Sequence, residues 1–282
     1  MALKIAVEDR VSTYPGRVVL TPVAGAANTY DMTRADLPIN EGTPINKALL
    51  DNKAYTLTKD TVVYVSTSGD DVGGDGSQDS PFKTIQAAVN AIPKHLGGYT
   101  AEIYVDFGVY DERVSLVGFS GGKLVLGQPG NVFTIQGIEV VECSYVETNI
   151  YQIEYNLDSS KGLFDVSCGS TVLIKNDMII DGISGDSIGI RVVDGSRVAA
   201  AENTTLTVNN CVGVANVQRS SSLSLNDLTG TGNIFGLVAY WGGIITYSKD
   251  TLEKAWSNDA NSGGLVLTGS NSTNLSGATI EL

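Results

Sequence analysis

The stretch GLFDVSCGSTVLIKND, residues 162–177, recurs three times in altered form farther along the chain. The later copies are GIRVVDGSRVAAAEN at 189–203, GVANVQRSSSLSLND at 213–227 and GLVAYWGGIITYS at 236–248. Each copy contains two short runs of β-forming residues and is followed by a turn rich in Asn, Asp, Gly or Ser. The copies begin 27, 24 and 23 residues apart, a period that suits one coil of a solenoid. The repeat therefore predicts an all-β fold, a single-stranded right-handed parallel β-helix.

A β-sandwich is the competing fold, because it also has many short strands separated by turns. Two features of the chain favour the β-helix. The repeat is internal and in register, and the hairpin dipeptide Asn-Gly is missing between the copies.

A strand, a loop and a helix are predicted ahead of the repeats. Residues 62–65 form a β-rich run, and a Gly- and Asp-rich loop follows over residues 68–80. Phe82, Ile85, Val89 and Ile92 then recur at the spacing of one helical face. Pro93 ends this helix, and a second strand is expected over residues 101–107.

The segment DGSQDSPFKTIQAAVNAIP, residues 75–93, resembles the opening of pectin-lyase-like β-helices. The resemblance extends from about residue 62 to residue 130 and implies that the helix covers the first coil. An amphipathic helix can shield the apolar side chains and open backbone that the end of a solenoid exposes. The predicted β-helix, residues 61–282, is therefore divided into three parts. They are a capping coil and helix over 61–130, regular coils over 131–250, and a C-terminal cap over 251–282 with a short helix at Thr251 to Trp256.

Residues 1–60 have a different character and are predicted to be an irregular adaptor. Tyr14-Pro15-Gly16 is one of several turn signals there, and one helix is expected from Thr43 to Asp51. The runs DRVSTYPGRV at 9–18, NTYDMTRAD at 28–36 and EGTPINKALL at 41–50 resemble the N-termini of tail-associated proteins in phages and prophages of Gram-positive bacteria. The resemblance implies that residues 1–60 attach the chain to other virion tail or baseplate proteins.

Composition excludes several classes of partner. The net charge of −13 and the pI of about 4.4 would repel a phosphate backbone, so no nucleic acid partner is expected. No apolar run is long enough for a signal peptide or a membrane span, which predicts synthesis in the bacterial cytoplasm and no membrane insertion. Cys143, Cys168 and Cys211 are too widely spaced for a zinc site, and all three are expected to be buried.

Carboxylates and amides recur at the end of each repeat. Aligning the copies places Asn176-Asp177, Glu202-Asn203 and Asn226-Asp227 at one corner of successive coils. Coils stack about 4.8 Å apart, close to the roughly 5 Å between the two carboxylates of a retaining glycosidase. Glu202 and Asp227 are therefore the candidate catalytic pair. The competing and favoured interpretation is structural, because Asn and Asp at tight corners bond to the backbone.

Aromatic residues give the candidate ligand-binding site. Tyr240 and Trp241 fall on adjacent positions that face opposite sides of a predicted strand, so both cannot easily be internal. An exposed aromatic face can stack on a sugar, whereas a buried one only fills the core. The acidic loop at 68–80 lacks the spacing of a calcium loop, and no metal or cofactor is predicted.

These patterns lead to one main hypothesis and two alternatives. The common hydrolase and nucleotide-binding motifs are absent, which favours a structural or binding role over catalysis. The main hypothesis is a structural appendage of a virion tail or baseplate, expected to be a homotrimer, whose β-helix binds polysaccharide on the host surface. The alternatives are a tail-spike enzyme that degrades polysaccharide, a glycoside hydrolase or lyase, and a head-decoration or purely structural virion subunit.

Overall fold

The computed structural model describes residues 11–12, 18–22, 30–34, 38–40, 56–155, 161–183, 186–256, 259–261, 263–268, 272–274 and 278–279. The chain divides into two compact units, one formed by Leu3–Ala54 and a larger one that includes Tyr55–Leu282.

The small unit contains two short antiparallel pairs. Strand β1 (Val11–Ser12) pairs with β4 (Pro38–Asn40), and β2 (Val18–Pro22) pairs with β3 (Tyr30–Arg34). The helix predicted from Thr43 to Asp51 lies outside the described residues.

The larger unit contains twenty strands, β5 to β24, and one described helix, α1 (Ile85–Ala91). The strands are β5 (Thr61–Val65), β6 (Thr100–Val105), β7 (Gly108–Val117), β8 (Lys123–Leu126), β9 (Phe133–Val141), β10 (Val146–Thr148), β11 (Gln152–Glu154), β12 (Gly162–Ser167), β13 (Thr171–Ile174), β14 (Met178–Asp181), β15 (Ile188–Val192), β16 (Arg197–Ala200), β17 (Thr205–Asn209), β18 (Gly213–Gln218), β19 (Ser222–Tyr240), β20 (Ile244–Trp256), β21 (Asp259–Asn261), β22 (Leu265–Thr268), β23 (Ser272–Asn274) and β24 (Ala278–Thr279).

These strands form a parallel β-solenoid of about six turns. Stack A contains β5, β6, β8, β10, β13, β16, the first parts of β19 and β20, and β22. Stack B contains the first parts of β7 and β9, then β11, β14, β17 and the middle of β19. Stack C contains the second parts of β7 and β9, then β12, β15, β18 and the end of β19. Parallel pairing between successive coils confirms the predicted β-helix architecture and excludes the sandwich.

The core is a set of ladders of apolar side chains that point inward at equivalent positions of each coil. In stack C, the register joins Ile138, Phe164, Ile190, Ala215 and Leu237, and all five are fully buried. Outward positions alternate with them and are partly exposed, as in β6 and β17. Each coil therefore stabilises its neighbours by continuous apolar burial.

The glycines that open the sequence repeats are not all partners in the sheet. Gly162 pairs with Ile188, and Gly213 pairs with both Ile188 and Phe235. The true register is thus shifted by one residue in alternate copies, because the turns between the strands differ in length. A one-residue shift exchanges inward and outward faces, so the register could not be obtained by aligning the glycines.

Helix α1 is observed where the sequence predicted a helix, and it packs against β7 in stack C. Ile85, Ala88 and Val89 form its buried face, and Thr84 caps it by accepting a hydrogen bond from the Ala87 N–H at 3.2 Å. The side-chain amide of Gln86 bonds to both the N–H and the C=O of Ser115 on β7. In a regular coil, the backbone of a neighbouring strand would make these two hydrogen bonds to β7. Here the side-chain amide of Gln86 makes them instead.

The acidic loop that follows β5 covers the open edge of that strand. The N–H of Tyr64 donates to the Gly76 carbonyl, and the Tyr64 carbonyl accepts from the Phe82 N–H. Asp71 accepts hydrogen bonds from the N–H groups of Lys83 and Thr84, just before α1. The loop therefore protects an edge that would otherwise pair with another chain.

The short helix predicted from Thr251 to Trp256 is wrong. These residues belong to β20, which pairs in parallel with β19 over residues 244–256. The backbone hydrogen bonds offered by the preceding coil override the weak local helical pattern. After β22 the pairing becomes antiparallel, from β22 to β23 and from β23 to β24.

Candidate functional site

The predicted catalytic residues Glu202 and Asp227 lie at the turn from stack A to stack B. Both side chains are exposed. The register places Asp227 opposite Thr205, whereas Glu202 belongs to the turn that precedes β17. The two carboxylates are therefore not at matching positions of adjacent coils, and the turn before β17 accounts for the offset.

Three of the polar residues around this turn, Asn176, Asp177 and Asn226, bond to the backbone. The side-chain amides of Asn176 and Asn226 donate to the carbonyls of Ile150 and Ala201 in the preceding coil. Asp177 accepts from the Thr205 N–H at 2.7 Å. These hydrogen bonds agree with the structural role that was favoured for the corner residues. The catalytic role of Glu202 and Asp227 stays a prediction.

The two predicted ligand-binding aromatics are adjacent on the outside of the solenoid. Tyr240 ends β19, while Trp241 lies in the turn that follows and has a left-handed backbone conformation with φ of 49°. The expectation that both lie on one strand and face opposite sides is therefore wrong for Trp241. The ring centroids are 6.1 Å apart with the planes tilted by 47°, and 55% of Trp241 is exposed.

The turn that holds Trp241 is one member of a regular series. At the turn from stack C to stack A, Cys168, Asp194, Arg219 and Trp241 each have φ between 49° and 58°. The carbonyls of Asp194, Arg219 and Trp241 accept hydrogen bonds from the equivalent turn of the preceding coil, as Asp194 does from the Gly169 N–H and Trp241 from the Ser220 N–H. We call these four exposed residues the corner ridge.

The left-handed turn explains why the corner ridge faces solvent. It leads the chain from stack C into stack A within two or three residues and projects the side chain away from the core. Cys168 is exposed for this reason, so the prediction that all three cysteines are buried is wrong for Cys168 and confirmed for Cys143 and Cys211.

Contacts run along the corner ridge from one coil to the next. Arg219 Nη1 lies 2.9 Å from Asp194 Oδ1, and the Arg219 guanidinium carbon lies 5.8 Å from the centre of the Trp241 ring. A cation at this distance from an exposed indole contributes about 0.5–1 kcal/mol. The ridge thus holds an aromatic face and a guanidinium side by side at the surface.

Sequence reasoning did not find the corner ridge, although a signal was present. Cys168 and Asp194 each precede a Gly-Ser pair, and Trp241 precedes two glycines. Such a residue before glycine in a repeated turn is a candidate for the left-handed conformation. Without the register, however, nothing showed that these positions stack.

A concave surface lies on the outside of stack B. It is a groove of about 330 Å³, and its walls include Val109, Asp111, Gln136, Glu154, Tyr155 and Ile183. The buried Tyr110 and Ile135 form part of its base. Burial raises the pKa of Tyr110 above its ordinary value of 10, and its hydroxyl donates to the Asp106 carbonyl at 3.1 Å. We call this surface the lateral groove.

Among the described residues, no group of three or more His, Cys, Asp and Glu side chains is arranged to hold a metal ion. No helix in the described part of the chain is both long and apolar enough to cross a membrane. Comparison with protein families, with curated proteins and with solved structures found no match to this chain.

Proposed function

We propose that this protein is a structural appendage of a virion tail or baseplate, and that its β-solenoid binds glycans on the host surface through Trp241 and its neighbours. In this proposal residues 1–60 attach the chain to other tail or baseplate proteins, three copies form a homotrimer, and the protein resides in the virion. The solenoid is of the pectin-lyase-like type, wound right-handed and covered at its first coil by α1. Right-handed connections are the rule for about 98% of parallel strand pairs.

The exposed Trp241 in a left-handed turn is the observation that supports the proposal. A left-handed backbone costs a residue other than glycine roughly 1–2 kcal/mol, and a bulky residue is rare there. The turn requires a residue with a left-handed backbone conformation, but it does not require an indole, since Asp, Arg and Cys occupy the equivalent turns. A large aromatic side chain that is exposed at a strained position is better explained by ligand contact than by stability.

The neighbouring side chains suit a sugar ligand. The indole offers a flat apolar face for the C–H side of a sugar ring, while Tyr240 forms a second wall at 6.1 Å. Arg219 uses Nη1 on Asp194 and keeps further donors for ligand oxygens. The charge of the guanidinium favours a glycan that carries carboxylate or phosphate groups.

The test measures binding of the purified protein to intact cells and isolated envelopes of Gram-positive bacteria, and to immobilised surface polysaccharides from them. We expect Trp241→Ala to weaken binding at least tenfold, because stacking on the indole is lost. Tyr99→Ala is the matched control, since Tyr99 is exposed at the opposite end of the solenoid, and it should bind like the unmodified protein.

Two results would contradict the proposal. One is the absence of binding to any cell, envelope or polysaccharide. The other is equal binding by the Trp241→Ala and Tyr99→Ala variants. Release of reducing ends or unsaturated uronates that is lost in Glu202→Gln would instead support the enzymatic alternative.

A further inference from the structure

The lateral groove has a composition unlike the corner ridge and lies on a different side of the coil. Its apolar wall residues are strongly exposed, with Val109 at 73%, Ile183 at 56% and Tyr155 at 38%. Phe107 and Val132, next to the groove in sequence and across the sheet, are also exposed. A cluster of exposed apolar residues of this kind marks a site of contact with another molecule.

The charged residues of the groove are all acidic. Asp111 and Glu154 line it, and no Lys, Arg or His is among its lining residues. The Gln136 amide donates to Asp111 Oδ1, and the Gln152 amide donates to Glu154 Oε2 at 2.8 Å. Each carboxylate therefore has one oxygen fixed by an amide and one oxygen left for a partner, and its charge is not neutralised by a cation of the groove.

The spacing of the two carboxylates follows from the register. Tyr110 pairs with Ile135 and Ile135 pairs with Ile153, so Asp111, Gln136 and Glu154 each follow a paired residue on three successive coils, with Asp111 in the β-bulge that begins after Tyr110. Two coil steps separate the backbones at Asp111 and Glu154 by about 9.6 Å along the solenoid axis. In a polyproline II segment every third residue points the same way, about 9.3 Å farther on.

We propose that the lateral groove binds an extended segment of a partner protein that carries Lys or Arg at two positions three residues apart, with apolar residues between them. The two basic side chains pair with Asp111 and Glu154. Apolar side chains of the segment, between and beside the two basic residues, contact Val109, Tyr155 and Ile183. This site is independent of glycan binding by the corner ridge, since it uses none of the same residues.

Aliphatic walls favour a peptide over a glycan as the occupant. Val109 and Ile183 match apolar side chains in shape and chemistry, whereas a sugar ring is usually held by aromatic faces and hydrogen-bond donors. The uniform negative charge of the groove also favours a basic segment and raises its association rate at low salt.

The experiment uses a fluorescent peptide PLRPLRPL, which has two Arg residues three apart, and the matched peptide PLQPLQPL. Binding to the full-length protein is followed by fluorescence anisotropy at low and at moderate salt. We expect the Arg peptide to bind at least tenfold more tightly than the Gln peptide. The Asp111→Asn, Glu154→Gln double variant should lose at least tenfold in affinity for the Arg peptide.

Matched variants separate the groove from general attraction to an acidic protein. Asp79→Asn, Glu142→Gln removes the same charge from exposed acids elsewhere and should bind like the unmodified protein. Val109→Ser should weaken binding, while Val72→Ser, which changes an exposed loop valine, should not. An unchanged thermal unfolding midpoint in each variant shows that the fold is retained.

Three results would overturn the proposal: no binding of the Arg peptide, equal binding by the groove variant and the matched acid variant, or equal binding of the Arg and Gln peptides. Preferential binding of an amino-sugar oligosaccharide such as chitosan hexamer, lost in the same groove variant, would assign the groove to a glycan instead. The peptide test does not depend on glycan binding, since Trp241→Ala protein should bind the Arg peptide like the unmodified protein. The two proposals are therefore tested separately.

Discussion

The hydroxyl oxygen of Ser196 accepts a hydrogen bond from the backbone N–H of Ser170, one coil earlier, at 3.2 Å. The same bond is made by Ser170 to Cys143 N–H and by Ser221 to Ser196 N–H. All three serines are almost completely buried. The result is a serine ladder, Ser170, Ser196 and Ser221, that satisfies backbone N–H groups where the chain turns from stack C into stack A.

Replacement of Ser196 by Ala should destabilise the solenoid. The Ser170 N–H would be left buried without its acceptor, at a cost of about 1–3 kcal/mol in the free energy of unfolding. Urea denaturation of the purified variant measures this loss. Ser224→Ala is the control, because Ser224 is exposed on the neighbouring strand, and a similar loss in both variants would contradict the role of the ladder.

Glu112 should titrate above the ordinary value of a glutamate. Burial raises the pKa of Glu112, although its carboxylate accepts hydrogen bonds from the N–H groups of Ile85 and Gln86 at the start of α1. The folded protein then takes up a proton at higher pH than the unfolded chain. The contribution of Glu112 to stability therefore rises as the pH falls through the folded pKa, and stays constant below the ordinary value of 4.5.

Two measurements check this pH dependence. The carboxyl carbon of Glu112 can be followed by NMR titration, and the free energy of unfolding can be compared between the protein and Glu112→Gln across the same pH range. The variant should lack this part of the dependence. A midpoint at or below 4.5 would contradict the prediction.

Trp241→Asn should not destabilise the fold. Asn tolerates the left-handed conformation better than Trp, and the indole is mostly exposed, so the free energy of unfolding should stay the same or rise by up to about 1 kcal/mol. Thermal or urea denaturation measures the change. Glycan binding should nevertheless fall, and a loss of stability larger than about 1 kcal/mol would show that the indole serves packing.

The three cysteines should differ sharply in reactivity. Cys168 is exposed, whereas Cys143 and Cys211 are buried, and burial raises the pKa of the Cys211 thiol to about 12. Because only a thiolate reacts quickly, a thiol reagent should modify one cysteine in the native protein and three after unfolding. In Cys168→Ser no fast reaction should remain, and fast modification of that variant would refute the burial of the other two.

The architecture was accessible from the sequence because the repeat itself encodes it. Apolar runs recurring in register every 23 to 27 residues favour burial by stacking one coil on another, and the face spacing of Ile85 and Val89 predicts α1 from local periodicity alone. The helix expected at Thr251 to Trp256 failed because six residues give little periodicity, and pairing with β19 decided their conformation.

The positions of the candidate sites were decided by tertiary structure. The sequence singled out Trp241 as a residue type, but its display beside Arg219 depends on turns that align only once the coils are in register. The offset between Glu202 and Asp227 has the same origin, since turn lengths between strands are not readable from strand patterns. In the lateral groove, Asp111 and Glu154 are 43 residues apart in sequence and two coils apart in space. The sequence by itself thus determined the solenoid through its apolar period, while the register, which depends on the length of each turn and on complementary packing in the core, decided which surface residues meet.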